Sequence, residues 1–368
     1  MITRTGVDRC PGVLSAFASG DGALVRLRVP GGRIASATLS SVMDLAVRHG
    51  APVVQLTSRG NLQLRALPEV VPDELVEAVS ALGLLPSPTH ERARTILADP
   101  VGQDVARTVH ELDAAICADP ALADLPGRFL WAVAGPPAAG GVPRPGSILA
   151  EQWDLAVQPL DADRALVLVG SRALRVARDL AVPTAVARAR TFLETRAGDT
   201  TWNVRDVPGD SAVFAGTVPW VAPTVPPLRP GPLGRDLVVA VPLGMLRPEH
   251  TAALTQAADE LVLTPWRSVV VRDGASCAGQ LAAAGLVTQP GSAWARVSAC
   301  VGAPACRRTA IPTLELAAAA AAQLPPDGPV VHVVGCDRRC GEPACDHVGL
   351  VAPQDLSAVL AAAGGIGA

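Results

Sequence analysis

The chain contains no lysine, so all 31 of its basic residues are arginines. An arginine keeps its positive charge throughout the physiological pH range, and without lysine no ammonium group can supply protons at a binding site. Every cationic contact must therefore use a planar guanidinium group, which holds a carboxylate through two parallel hydrogen bonds.

Charge of either sign is scarce: charged residues make up 18% of the chain, and hydrophobic residues make up 49%. This composition is typical of a well-buried globular protein and excludes a largely disordered one. The net charge of −3 gives no basic stripe of the kind that binds nucleic acid. At 368 residues the chain exceeds one typical core, which predicts two or three packed units.

Long apolar segments are also missing. The first residues lack the apolar core of a signal peptide, and the longest weakly apolar run, 314–324, is mostly alanine and too short to span a bilayer. Eight cysteines in a chain of this length do not resemble a secreted disulfide scaffold. We therefore expect a protein of the reducing cytoplasm with no membrane partner.

Four of the cysteines form two close pairs near the C-terminal end. Five residues separate Cys300 from Cys306, three separate Cys336 from Cys340, and 29 lie between the pairs. A [4Fe–4S] cluster requires four thiolates, one for each iron, which two short loops can supply. Structural zinc is the alternative, although it usually uses pairs with two to four intervening residues. Buried unliganded thiols are a further alternative, but they would not explain the pairing.

A small α+β unit is predicted at the start of the chain, over residues 10–86. Apolar alternation indicates strands, and a spacing of three and four residues indicates helices. The order strand, helix, strand, strand, helix is typical of a ferredoxin-like half-domain. The predicted elements are a strand at 23–29, a helix at 36–48, strands at 53–57 and 62–65, and a helix at 73–82.

The same order recurs about 207 to 212 positions later, within residues 226–290. Residues 238–246 resemble 27–34, a helix is predicted at 248–260, and residues 261–271 resemble 55–62. The recurrence predicts a duplicated half-domain with a pseudo-two-fold arrangement, the alternative being chance similarity between apolar strands. A central α/β domain at 87–225 and a cluster-binding α/β domain at 291–368 complete the predicted organisation, with a Pro- and Gly-rich loop at 136–146 and a proline-rich linker at 218–232.

Polar residues converge on the first half-domain. Alternating positions in a strand share one face, so these residues would place guanidinium, hydroxyl and amide groups together. Such a face favours a ligand with several carboxylates, and the alternative is an ordinary solvated sheet face. The candidates are Arg26 and Arg28 on one strand, Thr57, Arg59, Asn61 and Gln63 near the next, and Arg94 in the segment 90–94.

These segments resemble the nitrite/sulfite reductase superfamily, and within it most closely the precorrin-3B synthases of aerobic cobalamin biosynthesis. The resemblance is carried by the opening 10–12 and 20–27, by the segment 56–65, by both cysteine pairs and by the segment 332–336. It implies an α+β fold with duplicated ferredoxin-like half-domains and two further α/β domains of the nitrite/sulfite reductase type.

The resemblance also implies a function. Cys300, Cys306, Cys336 and Cys340 would hold a [4Fe–4S] cluster, and the seven polar candidates would contact an anionic tetrapyrrole. The implied reaction is oxygen-dependent hydroxylation of precorrin-3A at C20 followed by lactone formation, which gives precorrin-3B. The partners are the tetrapyrrole, O2 and an electron donor ultimately reduced by NADH. The sequence has no Rossmann fingerprint, so NADH is expected to reduce that donor rather than to bind this chain.

A separate non-haem iron is associated with this family, but the sequence assigns no ligands to it. The six histidines lie far apart in sequence, without the spacing of a facial triad, at His49, His90, His110, His250, His332 and His347. The alternative function is a siroheme-dependent sulfite or nitrite reductase, whose relatives use lysines beside arginines for proton supply. The absence of lysine favours the precorrin branch. Cys345 is an extra thiol, which we expect to be inert.

Overall fold

Residues 8–137 and 144–364 are described by a computed structural model of the chain. The contacts divide the chain into two compact units. The first unit is built from residues up to 15, 28–33 and 80–227, and the second from 16–27, 34–79 and the residues from 228 onward. The predicted division into four domains stays a prediction. Each of the four sheets described below falls within a single unit, with one exception: Arg33, the first residue of an edge strand, belongs to the first unit.

The elements alternate between strands and helices along most of the chain. The helices are α1 (Ser36–His49), α2 (Asp73–Ala81), α3 (Gln103–Ala118), α4 (Ala181–Thr195), α5 (Pro248–Ala257), α6 (Ala278–Ala283), α7 (Thr313–Gln323) and α8 (Leu356–Gly364). The strands are β1 (Phe17–Ala18), β2 (Ala23–Leu27), β3 (Arg33–Ala35), β4 (Val54–Leu56), β5 (Leu62–Leu67), β6 (Ile96–Ala98), β7 (Trp131–Val133), β8 (Leu155–Pro159), β9 (Arg164–Val169), β10 (Arg172–Ala177), β11 (Val218–Pro219), β12 (Gly231–Leu233), β13 (Asp236–Ala240), β14 (Met245–Leu246), β15 (Glu260–Leu263), β16 (Ser268–Val271), β17 (Val297–Ala299), β18 (Val331–Val334) and β19 (Val348–Val351).

Two five-stranded sheets form the duplicated half-domains. The first has the order β1-β2-β5-β4-β14 and the second has the order β12-β13-β16-β15-β3. Each copy therefore gives one short strand to the sheet of the other, since β14 comes from the second copy and β3 from the first. Helices α1 and α5, one from each copy, pack against each other. This reciprocal exchange is what a pseudo-two-fold duplication requires, and the predicted duplication is confirmed.

Equivalent turns lie before the exchanged strands and confirm the sequence offset. Residues 30–32 form a short 3₁₀ turn before β3, and residues 242–244 form the same turn before β14. Gly31 has φ 65°, and Leu243, 212 positions later, has φ 53°. The left-handed region favours glycine because it has no Cβ, so the second copy keeps the conformation at some cost in strain.

The first unit contains the central six-stranded sheet, β11-β10-β9-β8-β7-β6. Helices α3 and α4 pack on one face of it, with Trp131, Phe129 and Phe192 among its fully buried side chains. On the other face a second apolar cluster includes Leu97, Leu168 and Ile148. Both faces are covered, which explains why strands such as β9 are nearly continuous apolar runs.

The second unit also contains a three-stranded parallel sheet, β17-β18-β19. Helices α7 and α8 pack together beside it, and their alanine-rich faces allow close approach to the strands. Both β17 and β18 are short and end at the same edge of the sheet. This edge carries the two cysteine pairs.

The predicted elements agree with most observed bounds. The helices predicted at 36–48, 73–82 and 248–260 correspond to α1, α2 and α5, while α3, β8 and β10 were not predicted. The predicted linker at 218–232 begins and ends in short strands, β11 and β12, because its prolines leave room for edge pairing only at its ends. The predicted loop at 136–146 lies partly outside the described residues. None of the helices in the described part of the chain is long and apolar enough to cross a bilayer.

Candidate iron–sulfur centre and polar strand row

The carboxyl ends of β17 and β18 bring the two cysteine pairs together. Cys300 directly follows β17, and its backbone N–H donates to the carbonyl of Val333 in β18 at 3.0 Å. Cys336 follows β18 after one glycine, Gly335, whose N–H donates to Sγ of Cys300 at 3.4 Å. Neighbouring parallel strands end at one sheet edge, so the sequence positions of these cysteines already determine that they are neighbours in space.

The pKa of the Cys340 thiol depends on its burial and on the charges around it. Burial raises the pKa of the Cys340 thiol, and the charges of Cys300, Cys336 and Cys306 raise it further, whereas Arg338 lowers it. Each of the other three sulfurs is therefore close enough to repel a thiolate at Cys340. A cationic centre between them would relieve this repulsion and deprotonate the thiols.

Four thiols are the number of ligands that a [4Fe–4S] cluster requires, because each sulfur binds a different iron of the cube. Within residues 8–137 and 144–364, no group of three or more His, Cys, Asp or Glu side chains is arranged to hold one metal ion. The eight cysteines lie within these residues, and none of them forms a disulfide.

The loops around the cysteines are closely packed. A Cβ on Gly335 would lie 2.4 Å from Cγ2 of Thr309, and this forbids any larger residue between Cys336 and the strand. In the first loop, Oγ1 of Thr313 donates to the carbonyl of Cys300 at 2.7 Å and lies 3.5 Å from its Sγ. These contacts fix Cys300 between β17 and the first turn of α7.

His332 supports the second cysteine loop from inside the sheet. It is fully buried in β18, with Nδ1 2.8 Å from Oγ of Ser298 and Nε2 3.1 Å from the carbonyl oxygen of Cys340. Burial, and after it the charge of Arg267, lower the pKa of His332 to about 4. The imidazole is therefore neutral at pH 7, and since a carbonyl only accepts, its proton is on Nε2.

His332 and His347 are neighbours but do not together form an iron site. The rings of His332 and His347 lie 6.3 Å apart, and Nε2 of His347 lies 3.1 Å from Oε1 of Glu342. Both ring nitrogens of each histidine already contact other groups. In His347, Nδ1 lies 2.8 Å from the carbonyl oxygen of Cys345. The ligands of the expected non-haem iron therefore stay unassigned.

A polar row crosses the first half-domain sheet. Arg26 in β2 lies opposite Gln63 in β5, which lies opposite Gln55 in β4. Nη2 of Arg26 donates to Oε1 of Gln63 at 3.5 Å, and Nε2 of Gln63 donates to Oε1 of Gln55 at 2.9 Å. The predicted pair Arg26 and Gln63 is thus brought together. Gln55 was missed, although its register could have been found from the strand alternation.

Thr57, Arg59 and Asn61 lie in a tight turn between β4 and β5 instead of along a strand face. The hydroxyl of Thr57 accepts the N–H groups of Asn61 and Arg59 at 3.1 and 3.3 Å. The N–H of Thr57 donates to the carbonyl of Asn61 at 2.9 Å. Thr57 therefore closes the turn that presents Arg59, and Asn61 is buried behind it.

Arg28 and Arg94 belong to the other unit and are both buried. β2 ends at Leu27, so Arg28 does not share the strand face of Arg26 as the alternation predicted. Its guanidinium donates to the carbonyl of Pro11 and, at 3.4 Å, to Sγ of Cys10. Arg94 holds Asp113 through two bonds of 2.7 Å. These contacts anchor the fold of that unit, and a tetrapyrrole contact stays a prediction.

Comparison with known proteins gives two findings. Residues 17–82 match the family model described as the nitrite/sulfite reductase ferredoxin-like half domain. The fold is similar to the structure of the NirA protein of Mycobacterium tuberculosis, with a TM-score of 0.66 and 16% sequence identity over 91% of this chain and 74% of that chain. A search of curated proteins finds no match.

The fold is therefore α+β, with duplicated ferredoxin-like half-domains, as predicted. The family match shows a ferredoxin-like half-domain of the nitrite/sulfite reductase type over residues 17–82, and the structural similarity, at 16% identity, shows a shared fold.

Proposed function

We propose that the chain is an oxygen-dependent monooxygenase of aerobic cobalamin biosynthesis that converts precorrin-3A to precorrin-3B with a [4Fe–4S] cluster. The observation that carries the proposal is the position of both cysteine pairs after neighbouring parallel strands, in the same unit as the polar row of Arg26, Gln63 and Gln55. When bound, the cluster supplies electrons one at a time at that edge.

The polar row lies one step along β5 from a residue that contacts the cluster loop. Gln63 and Arg65 share a strand face, about 7 Å apart, and Nη2 of Arg65 lies 3.3 Å from the carbonyl oxygen of Ala305, next to Cys306. In the proposal, Arg26 and Arg59 hold acetate and propionate arms of the macrocycle, while Gln63, Asn61 and Thr57 position them. Arg28 and Arg94 were predicted for the same role and stay proposed contacts.

The absence of lysine favours an oxygenase over a six-electron reductase. Reduction of sulfite or nitrite consumes several protons, which a guanidinium does not release at neutral pH. Hydroxylation at C20 needs O2, two electrons and two protons; one oxygen atom enters the product and the other leaves as water. An electron donor ultimately reduced by NADH would supply the electrons.

The test is turnover of precorrin-3A under ¹⁸O2 with a reducing system, followed by mass spectrometry of the product. The proposal predicts a lactone product that carries one ¹⁸O atom and requires the cluster. Unchanged precorrin-3A with a fully loaded cluster would contradict it.

A siroheme-dependent sulfite or nitrite reductase is the second candidate, because residues 17–82 match a nitrite/sulfite reductase half domain and the fold is similar to that of the NirA protein over 91% of this chain. Siroheme gives strong Soret and red absorption bands that a bare cluster lacks. Those bands in anaerobically purified protein, together with sulfite or nitrite reduction, would favour this candidate.

A further inference from the structure

The two half-domain copies contain the same turn at positions 207 apart. In the first copy, the N–H of Thr57 donates to the carbonyl of Asn61 at 2.9 Å. In the second, the N–H of Thr264 donates to the carbonyl of Ser268, also at 2.9 Å, and the hydroxyl of Thr264 accepts the N–H of Ser268 at 3.3 Å. The turns are therefore equivalent down to their hydrogen bonds.

One position of this turn differs between the copies in an informative way. Gly60 has φ 62°, and Arg267, its equivalent, has φ 57°. A left-handed φ strains a residue with a Cβ, and glycine avoids that strain. Such strain persists where the surrounding structure uses the side chain.

Arg267 contacts the second cysteine loop. Its Nη2 donates to the carbonyl oxygen of Gly341 at 2.6 Å, directly after Cys340. A Cβ on Gly341 would lie 2.6 Å from that same Nη2, so only glycine permits the contact. Burial lowers the pKa of the guanidinium to about 10, which leaves it charged at pH 7.

The first copy contacts the first cysteine loop in a similar way. The carbonyl oxygen of Ala305, directly before Cys306, accepts from Oγ of Ser19 at 2.6 Å, from the N–H of Gly20 at 2.9 Å and from Nη2 of Arg65 at 3.3 Å. Asp21 holds the guanidinium of Arg65 through bonds of 3.0 and 3.1 Å. A Cβ on Gly20 would lie 2.7 Å from the carbonyl oxygen of Pro304.

We propose that Arg65 and Arg267 are positioning residues, one from each half-domain copy, that hold Cys306 and Cys340 in place for the iron–sulfur cluster. The inference rests on the proposed cluster. Each guanidinium binds a carbonyl adjacent to one ligand, which fixes the loop before the metal arrives. Each also brings a buried positive charge toward a cluster whose thiolates are negative, and such outer contacts tune both affinity and reduction potential.

The experiment compares Arg65→Gln and Arg267→Gln with two controls after anaerobic cluster reconstitution. In the second copy, Arg272 occupies the position equivalent to Arg65 and pairs with Asp236. Arg272→Gln removes that arginine. Gly234→Ala adds a Cβ at a left-handed φ of 64° with open space around it. The readouts are iron and sulfide per chain, the rate of cluster loss to a ferrous chelator, and the reduction midpoint potential.

We expect each of the two Gln variants to lose the cluster about 10-fold to 100-fold faster than wild type, as for other outer-sphere changes, and to shift the potential to more negative values. The controls should match wild type. Should either Gln variant fail to fold, Arg267→Gly supplies the test. It relieves the left-handed strain and removes the contact, so its thermal midpoint should not fall while cluster loss still accelerates.

Wild-type rates and potentials in both Gln variants would overturn the inference and leave the proposed function intact. A wild-type protein that takes up no iron and sulfide would overturn both. Cluster loss that is as fast in the Arg272→Gln control as in Arg65→Gln would show a general effect on stability. That result would also overturn the inference.

Discussion

Sγ of Cys300 accepts a hydrogen bond of 3.4 Å from the backbone N–H of Gly335, so the ends of two parallel strands are joined at one sulfur. Hydrogen bonds from backbone N–H groups stabilise a thiolate and are typical of cluster ligands. This contact links the first cysteine pair to the second within a single sheet edge.

The first prediction concerns the ligand set. Single Ser variants of Cys300, Cys306, Cys336 and Cys340 should each bind much less iron and sulfide than wild type, because every iron of the cube needs one thiolate. Cys345→Ser is the matched control, five positions past Cys340, and should keep wild-type iron. Full loss in Cys345→Ser with retention in Cys340→Ser would show that the ligand set is wrong.

The second prediction concerns the polar row. Arg26→Gln should weaken tetrapyrrole binding about 10-fold or more, because a hydrogen bond to a charged group contributes about 1.5 to 3 kcal/mol. Arg48→Gln is the control, since Arg48 forms an exposed pair with Glu74 in the same unit. Titration of the tetrapyrrole at two salt concentrations measures the effect, which should be smaller at high salt. Equal affinities for both variants would contradict this role of Arg26.

The third prediction separates anchoring from binding at Arg94. Its side chain is 3% exposed and that of Asp113 is 20% exposed, so Arg94→Gln leaves a poorly solvated carboxylate. Loss of one partner of a buried pair costs about 3 to 5 kcal/mol. The free energy of unfolding should therefore fall strongly, and the double variant Arg94→Met with Asp113→Leu should recover part of it. Unchanged stability together with weakened tetrapyrrole binding would indicate a binding role instead.

The fourth prediction concerns pH. Asp154 accepts hydrogen bonds from the N–H groups of Leu130 and Val204 at 2.8 and 2.7 Å, and from the side chain of Asn203 at 3.0 Å. Burial raises its pKa to about 6 from 3.8. A raised carboxyl pKa means that the folded state binds the proton more tightly, so its contribution to stability is full below pH 4 and is lost as the pH rises to 6.

Two units of pKa shift correspond to roughly 3 kcal/mol. The free energy of unfolding, followed by tryptophan emission, should therefore decline more steeply between pH 4 and 6 in wild type than in Asp154→Asn. Four tryptophans, Trp131, Trp153, Trp202 and Trp220, lie in the unit that contains Asp154. Identical pH slopes for the two proteins would refute the assignment.

The pairing of the cysteines could be predicted from sequence because its signal is local: the four thiols stand at fixed short spacings. The duplication could be predicted because the order of strands and helix recurs about 207 to 212 positions later. Strand alternation indicated Arg26 and Gln63 as polar candidates, but their positions opposite each other come from the structure.

The remainder depends on tertiary contacts that no local pattern records. The exchange of β3 and β14 involves strands of three and two residues, too short for a periodic signal. Arg28 continues the alternation of Arg26 in sequence. The strand nevertheless ends at Leu27, and the guanidinium of Arg28 donates to the carbonyl of Pro11 instead. Arg267 could have been singled out only by aligning it with Gly60 and asking why an arginine occupies a position that favours glycine.

Iron, zinc and acid-labile sulfide analysis of anaerobically purified protein, with its absorption spectrum, tests the central claim most directly. We predict about four irons and about four sulfides per chain, broad absorption near 400 nm, and no Soret band. Zinc without sulfide, or no metal after reconstitution with iron and sulfide, would contradict the account.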